Sequence, residues 1–382
     1  MDFKLTKEQE EFKKEVHEFL RKEVTEQVVE EFETEGTWGP ATWELVKKVG
    51  SRGWLTPHWP KEYGGLGLSL VEWIIVANEL VYWRASEAFV GAHMAGPVIM
   101  RRGNEEQKKE YLPRIARGEI EFALGYTEPQ AGSDLSSLEI RAVEDGDDYV
   151  LNGQKMFNTA SHFANYHWLG ARTDTTASKK HRGISLFIVD LTSPGITIRP
   201  LWVMDGLRTN EVFYDNVRVP KKNMVGEKNH GFYYIMEALD HERIFPHGEL
   251  WRVLEELTEY VKDTGKNEDP LVRQKLAEMA IEVKICDLLA YHVAWMLSQK
   301  ISCSSEVSVL KNFHFETRYR MGVSAMEILG LYGQLQRDSK WAVLRGKIDW
   351  LFRGIFWRLI GGGTSEIQRN IIATRGLGLP AH

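Results

Sequence analysis

The chain has 382 residues, 43% of them hydrophobic and 27% charged, with a formal net charge of −6. That length asks for two or three domains, the apolar content excludes a disordered chain, and the acidic balance argues against a bulk electrostatic nucleic-acid binder. Its two cysteines, Cys286 and Cys303, form no CxxC and no Cys/His cluster of zinc spacing, which excludes a disulfide framework, gives no metal site and points to a reducing, cytoplasmic setting.

The opening MDFKLTKEQEEFKKEVHEFL lacks an apolar core and is too acidic for a transit peptide, so no targeting segment is expected there. Phe12, Val16, Phe19 and Leu20 recur at i, i+4, i+7 and i+8, one face of a helix. Further helices are expected near 40–50, 69–84 and 104–117, with Ser69 as an N-cap after the glycine-rich PKEYGGLGLS (60–69). The longest apolar stretch, VEWIIVANELVYW, carries Glu72 and Glu79 and falls far short of a membrane span. Residues 1–118 read as an N-terminal α-helical domain. Between 119 and 227 short β-rich runs follow one another: EFALGYT, LEIRAVE, DYVLNGQKMF, GISLFIVDL, ITIRPLW and EVFYDNVRV. Glu144-Asp145-Gly146-Asp147 reads as a hairpin turn. Without strand–helix–strand alternation, an antiparallel barrel or sandwich is expected. Long helical periodicity returns over 228–382, with Asp269-Pro270 as a helix start. Helices flanking a β block leave a crevice at the domain junction, where ligand sites concentrate.

Three glycine-rich spots, GGLG (64–67), GLYG (330–333) and GGGT (361–364), fail to complete GxGxxG between a strand and a helix, which argues against a dinucleotide fold of the Rossmann type. They are turns, or places where backbone amides approach a phosphate or flavin. GGGTSEIQRN leads three glycines into a helix start, which favours an anion. GYTEPQAGSD (125–134) is a polar loop or a ligand cradle. LDHERI (239–244), taken alone, reads as a solvated helix face with local ion pairs.

These strings carry a resemblance. ALGYTEPQAGSDLSS (123–137), GGGTSEIQRNIIATR (361–375), PHWPKEYGGLG, YLPRIARGEI, LNGQKMF and FYDNVRVP stand in register with the acyl-CoA dehydrogenases over nearly the whole chain. The resemblance implies that family's α+β fold: an N-terminal helical domain (1–118), a middle antiparallel β-barrel or sandwich (119–227) and a C-terminal four-helix-type bundle (228–382). It implies FAD as cofactor and an acyl-CoA thioester as substrate, oxidised to the trans-2-enoyl-CoA by removal of the α proton and passage of the β hydride to flavin N5. It also implies an electron-transferring flavoprotein or similar acceptor, and a homotetramer or heterotetramer. Many members carry the base just before the GT of the last motif, where this chain has Gly362. Isovaleryl-CoA and long-chain types carry it in a helix reading like LDxERL, where this chain has Glu242; Glu242 is therefore the expected base. By the same matching, Tyr126, Thr127, Ser133, Phe157, Thr159, Glu327, Gly330, Thr364 and Glu366 are expected at FAD, and Ser133, Asp240, Arg243 and the N–H of Gly362 at the acyl-CoA. Phe157 replaces the usual Trp, Glu327 and Leu331 replace Gln and Gly, and the RxxFG string is absent from VKDTGKNEDPLVRQ, where Arg273 is the candidate substitute. The pattern resembles bacterial members acting on branched, alicyclic or sterol side-chain acyl-CoAs. Two other outcomes stay open: one subunit of a heteromeric dehydrogenase that is inactive alone, and a flavin oxidase or monooxygenase on the same fold.

Overall fold

Helix α1 (Lys7–Glu23) starts at a capping box, in which the Gln9 N–H donates to Thr6 Oγ1 (3.2 Å) and the Thr6 N–H to Gln9 Oε1 (3.1 Å). Its apolar face is the expected one: Val16 and Leu20 are buried, and Phe12 and Phe19 meet Trp54 edge-on at 5.8 and 5.3 Å. Helices α2 (Glu26–Thr34) and α3 (Pro40–Ser51) follow, and then the glycine-rich connection. Ser69 caps α4 (Leu70–Tyr82), accepting from the Val71 N–H at 3.1 Å. A π-helical turn at Gly91–Ala95 precedes α5 (Gly96–Arg102), and Asn104 caps α6 (Glu105–Ala116). The chain is seen in a computed structural model that describes residues 4–34, 38–86, 89–242 and 245–380, and only the backbone of Asp240, His241 and Glu242.

The middle block is one sheet of eight strands: β1 (Phe122–Gly125), β2 (Arg141–Asp145), β3 (Asp148–Lys155), β4 (Tyr166–Arg172), β5 (Ile184–Asp190), β6 (Ile196–Trp202), β7 (Arg208–Pro220) and β8 (Met224–Val225). The order is β6-β7-β3-β2-β4-β5-β8, with β1 beside β4. The sheet is open, and the antiparallel rule is broken twice: β1 and β2 both run parallel to β4. The β2–β3 turn falls at Gly146-Asp147, with Gly146 at φ +60°, where a two-residue hairpin favours glycine. Two strands escape the sequence patterning. β4 (YHWLGAR) is buried along its centre and shows no alternation, and β8 has two residues.

The last block holds α7 (Gly231–Glu242), α8 (Gly248–Asp263), α9 (Pro270–Ser298), α10 (Ser304–Leu329), α11 (Lys347–Arg358) and α12 (Ser365–Ile371). Asp269 caps α9, with Pro270 in the first turn, as its sequence signal reads. Helices α8 to α11 pack side by side, and α4 of the first block lies on α8 and α9. Trp73, Ile74 and Ala77 of α4 share a core with Ala290, Val293 and Ala294 of α9. Burial of each large apolar side chain at such a seam contributes roughly 1.5–3 kcal/mol. Helix α7 sits instead on β4 and β5. Gly231 opens it against the backbone of Ser185, where a side chain would collide, and Ile235 is buried against Gly170. Among the described residues no helix is long and apolar enough to cross a membrane.

Candidate active site

Strand β1 delivers Tyr126 and Thr127 out of the sheet, and β3 delivers Phe157 and Thr159. Backbone and side-chain bonds hold the two exits together. The Met156 N–H donates to the Thr127 carbonyl (2.9 Å), and Asn158 Nδ2 donates to the Leu124 carbonyl (2.8 Å). Beneath them lies a buried ion pair. Lys155 Nζ donates to the Tyr126 carbonyl and to Glu128 Oε1, both at 2.9 Å, and the Glu128 carboxylate also accepts the N–H groups of Glu139 (2.6 Å) and Ile140 (3.0 Å). Burial pushes the Lys155 ammonium down to about 8 against the opposing pull of Glu128. This network draws no attention in the sequence, although Lys155 lies inside the NGQKMF string and Glu128 inside TEP.

Phe157 is the residue that points to a ligand. It stands at φ +58°, a left-handed conformation that costs a bulky side chain on the order of 1–2 kcal/mol, and its ring is 55% exposed. Thr159 is exposed beside it, its hydroxyl 3.3 Å from that of Thr209, while Asn158 between them is buried with its Oδ1 lacking a hydrogen-bond partner. A strained, bare aromatic next to exposed hydroxyls fits the ring system of a flavin. Ser133 lies on the exposed tip of the neighbouring loop, whose Asp134 carboxylate gathers the hydroxyls of Ser136 and Ser137.

The second half of the site is the glycine loop between α11 and α12. Gly362 and Gly363 stand at φ +67° and +93°, and Thr364 caps α12 by accepting from the Ile367 N–H at 3.3 Å. Glu366 is exposed in the first turn, its carboxyl held below the usual range by a backbone N–H and the Thr364 hydroxyl. Two buried side chains that sequence reasoning passes over grip the loop carbonyls from behind: Lys311 of α10 and Gln368 of α12. Phe245 packs against the loop as well. A Cβ at Gly362 would meet Phe245 Cζ at 3.4 Å and Lys311 Cε at 3.9 Å. Phe245 also packs edge-on against Phe315 (4.7 Å) and over His314 (6.1 Å). Glu242 is the last residue of α7, three before Phe245. At about 3.3–3.6 Å per residue, its Cα lies within roughly 11 Å of that of Phe245. The last residue of α7 is thus tied by a short reach of chain to Phe245, which packs at the GGGT loop more than a hundred residues away. The side chains of Asp240 and Glu242, and the whole of Arg243, lie outside the described residues.

Two further expected cofactor residues lie toward the other end of α10 from Lys311. Glu327 is sixteen residues beyond Lys311 on α10, about 24 Å along the helix, and its carboxylate pairs with Lys275 of α9. Gly330 ends the same helix at φ +61° and ψ −133°, a conformation for glycine alone. Arg273 donates to the carbonyls of Asn267 (2.8 Å) and Glu268 (3.0 Å), so its guanidinium caps the turn before α9.

An exposed, strained aromatic at a strand exit, which fits a flavin ring, and a glycine loop at a helix start suit an FAD-dependent oxidoreductase. The sequence comparisons narrow the class. Acyl-CoA dehydrogenase domain families match in order: the N-terminal domain at residues 6–119, the middle domain at 123–217 and the C-terminal domain at 229–377. The chain belongs to the acyl-CoA dehydrogenase family. It is 35% identical to acyl-CoA dehydrogenase FadE26 of Mycobacterium tuberculosis, over 100% of this chain and 99% of that one. Among solved structures, the Tcur3481-Tcur3483 steroid ACAD superposes with a TM-score of 0.95 at 35% identity, covering 100% of both chains. The ChsE4-ChsE5 complex from Mycobacterium tuberculosis gives 0.92 at 35% identity, again covering 100% of both.

Proposed function

We propose that this chain oxidises a bulky acyl-CoA to its trans-2-enoyl-CoA, with Glu242 as the base. The observation that carries this reading is the seating of Phe245 on Gly362, which brings the end of α7 to a loop that has no carboxylate of its own. A proton α to a thioester is weakly acidic, and its removal needs a carboxylate on one side and hydrogen-bond donors to the thioester oxygen on the other. Glu242 takes the proton, and the Gly362 N–H donates to the oxygen where negative charge builds. Bound FAD supplies the acceptor for the β hydride. Tyr126, Thr127, Phe157 and Thr159 seat its ring system, and Thr364 and Glu366 flank it from the start of α12. Asp240, Arg243 and Ser133 hold the CoA arm, Arg243 as the cation for its anionic groups.

The acyl class proposed is branched, alicyclic or steroid, following the resemblance to bacterial members that act on such groups. The steroid dehydrogenase likeness supports the same class. An electron-transferring flavoprotein is the proposed acceptor. A second reading is favoured by Arg273 and Glu327, whose charged groups are engaged within the chain. In it, a partner subunit completes the far end of the FAD site in a two-component assembly, as the paired names of the steroid and ChsE4-ChsE5 proteins support. The test is to purify the chain alone, record its flavin absorbance and add acyl-CoAs anaerobically. A yellow protein bleached by a ring-bearing or branched acyl-CoA is expected if the chain suffices. A colourless protein that turns yellow only with a partner chain selects the heteromeric reading. A flavin-loaded protein that no acyl-CoA bleaches contradicts both.

A further inference from the structure

The glycine loop has no regular structure to fix it, yet a thioester oxygen needs its N–H donor held within a few tenths of an ångström. Gly362 and Gly363 both occupy the positive-φ region, so the loop backbone is intrinsically free to turn over. What restrains it is a pair of buried side chains behind it. Lys311, fully buried on α10, sends its ammonium to the carbonyls of Leu359 (3.1 Å) and Gly363 (2.6 Å), one at the end of α11 and one just before α12. Gln368, fully buried on α12, donates Nε2 to the carbonyls of Gly362 (2.9 Å) and Gly363 (3.4 Å). Gly363 leaves no slack: a Cβ there would stand 2.7 Å from Gln368 Nε2. Three carbonyls are therefore pinned toward α10 and α12, which fixes the Gly362–Gly363 and Gly363–Thr364 peptide planes, and the Gly361 N–H donates to the Trp357 carbonyl (3.0 Å), so the plane that carries the Gly362 N–H is held between fixed neighbours.

We propose that Lys311 and Gln368 are positioning residues for the reaction. They lock the carbonyls of Leu359, Gly362 and Gly363 inward and so fix the backbone on the far side of the Gly361–Gly362 peptide, whose N–H is thereby held toward the thioester oxygen. Lys311 adds a second effect. Its Cε is 3.9 Å from where a Cβ of Gly362 would lie, so its ammonium lies close to the donor loop, where a cation favours negative charge developing nearby. The inference rests on the proposed α-proton abstraction and adds residues that touch neither substrate nor flavin.

The test compares Lys311→Met, Gln368→Leu and the double variant with wild type as FAD-loaded holoenzyme, together with a partner subunit if the chain alone does not load. Anaerobic stopped-flow flavin reduction by an acyl-CoA that bleaches the wild type gives a limiting rate and a half-saturating concentration. Lys311→Met should lower the limiting rate on the order of 10²-fold, as loss of an oxyanion donor does, and Gln368→Leu about tenfold. Half-saturation should stay within about threefold. The double variant should fall well short of the product of the two, because both residues hold one loop. Amide hydrogen exchange of the peptide spanning 359–366, measured without FAD or acyl-CoA, should quicken in each variant. A folded, loaded Lys311→Met with a limiting rate within twofold of wild type and unchanged exchange overturns the proposal. If Lys311→Met does not fold, Gln368→Leu with wild-type rate and exchange does so alone. Glu242→Gln run in parallel separates the two claims. Full activity there removes the base assignment, whereas a dead Glu242→Gln beside an unimpaired Lys311→Met removes only the loop inference.

Discussion

Glu121 lies at the joint between the first block and β1, with its carboxyl buried and accepting the N–H groups of Gly91 (2.6 Å) and Phe122 (2.7 Å). Burial pushes it up to about 8, against the pull of those two N–H groups. The folded protein therefore keeps a proton that the unfolded chain releases near pH 4.5. This residue's contribution to stability is intact below that pH and is lost as pH rises toward 8. Glu121→Gln keeps an acceptor for both N–H groups and removes the ionisation. Its melting temperature should exceed wild type by a margin that grows from pH 5 to pH 8; a margin independent of pH contradicts the buried neutral carboxyl. Residues of this kind are silent in the sequence, where Glu121 reads as one more acid in GEIEFAL. Glu242 and Gly362 are legible because each belongs to a string with a known resemblance. Lys311 and Gln368 are not, because a Lys in LKNFHFE and a Gln in SEIQRN look like solvated helix faces until the loop is seen folded over them.

At the level of elements, helix boundaries are read well where chemistry marks them. Ser69 with Glu72, Asp269 with Pro270, and Thr364 after three glycines all stand where helices begin. The strands are read by alternation and turn residues, and that rule fails for β4, which is buried on both faces and pairs in parallel with β1. This parallel pairing sets where Tyr126 and Thr127 emerge, so part of the proposed flavin site depends on a strand that the alternation rule does not detect. The Lys155–Glu128 pair then fixes that exit to the one carrying Phe157. Lys155→Met would leave a buried carboxylate uncompensated, which costs about 3–5 kcal/mol, and would release both loops. Thermal unfolding should show that loss, and FAD affinity should fall by more than tenfold. A variant as stable as wild type with full flavin affinity would remove the pair from the account of the site.

At the level of the whole molecule, the first and last blocks are joined by charges as well as by apolar packing. Glu33 of α2 pairs with Arg84 (3.1 Å), Arg337 (3.3 Å) and Lys347 (3.5 Å), and Arg84 also holds Glu256 of α8. Glu249 of α8 pairs with Arg318 of α10 and with Lys347 of α11 (3.6 Å). Burial opposes ionisation of Glu249, but Arg318, Lys347 and Arg358 together hold it far below the usual carboxylate range. Partners such as Glu33 and Lys347, 314 residues apart, share no spacing rule, which is why the helix–sheet–helix order is visible in composition and this hub is not. The hub ties α8, α10 and α11 to the first block, and those helices carry Lys311, the glycine loop and the approach to Phe245. The chemistry proposed for that loop depends on a carboxylate arriving from the end of α7. The most direct measurement is anaerobic flavin reduction of Glu242→Gln against wild type, using the acyl-CoA that bleaches wild type best. The account predicts that the variant still binds FAD and shifts the flavin spectrum on adding acyl-CoA, while its limiting reduction rate falls by at least about 10²-fold. Reduction at the wild-type rate would contradict it and place the base elsewhere in the pocket.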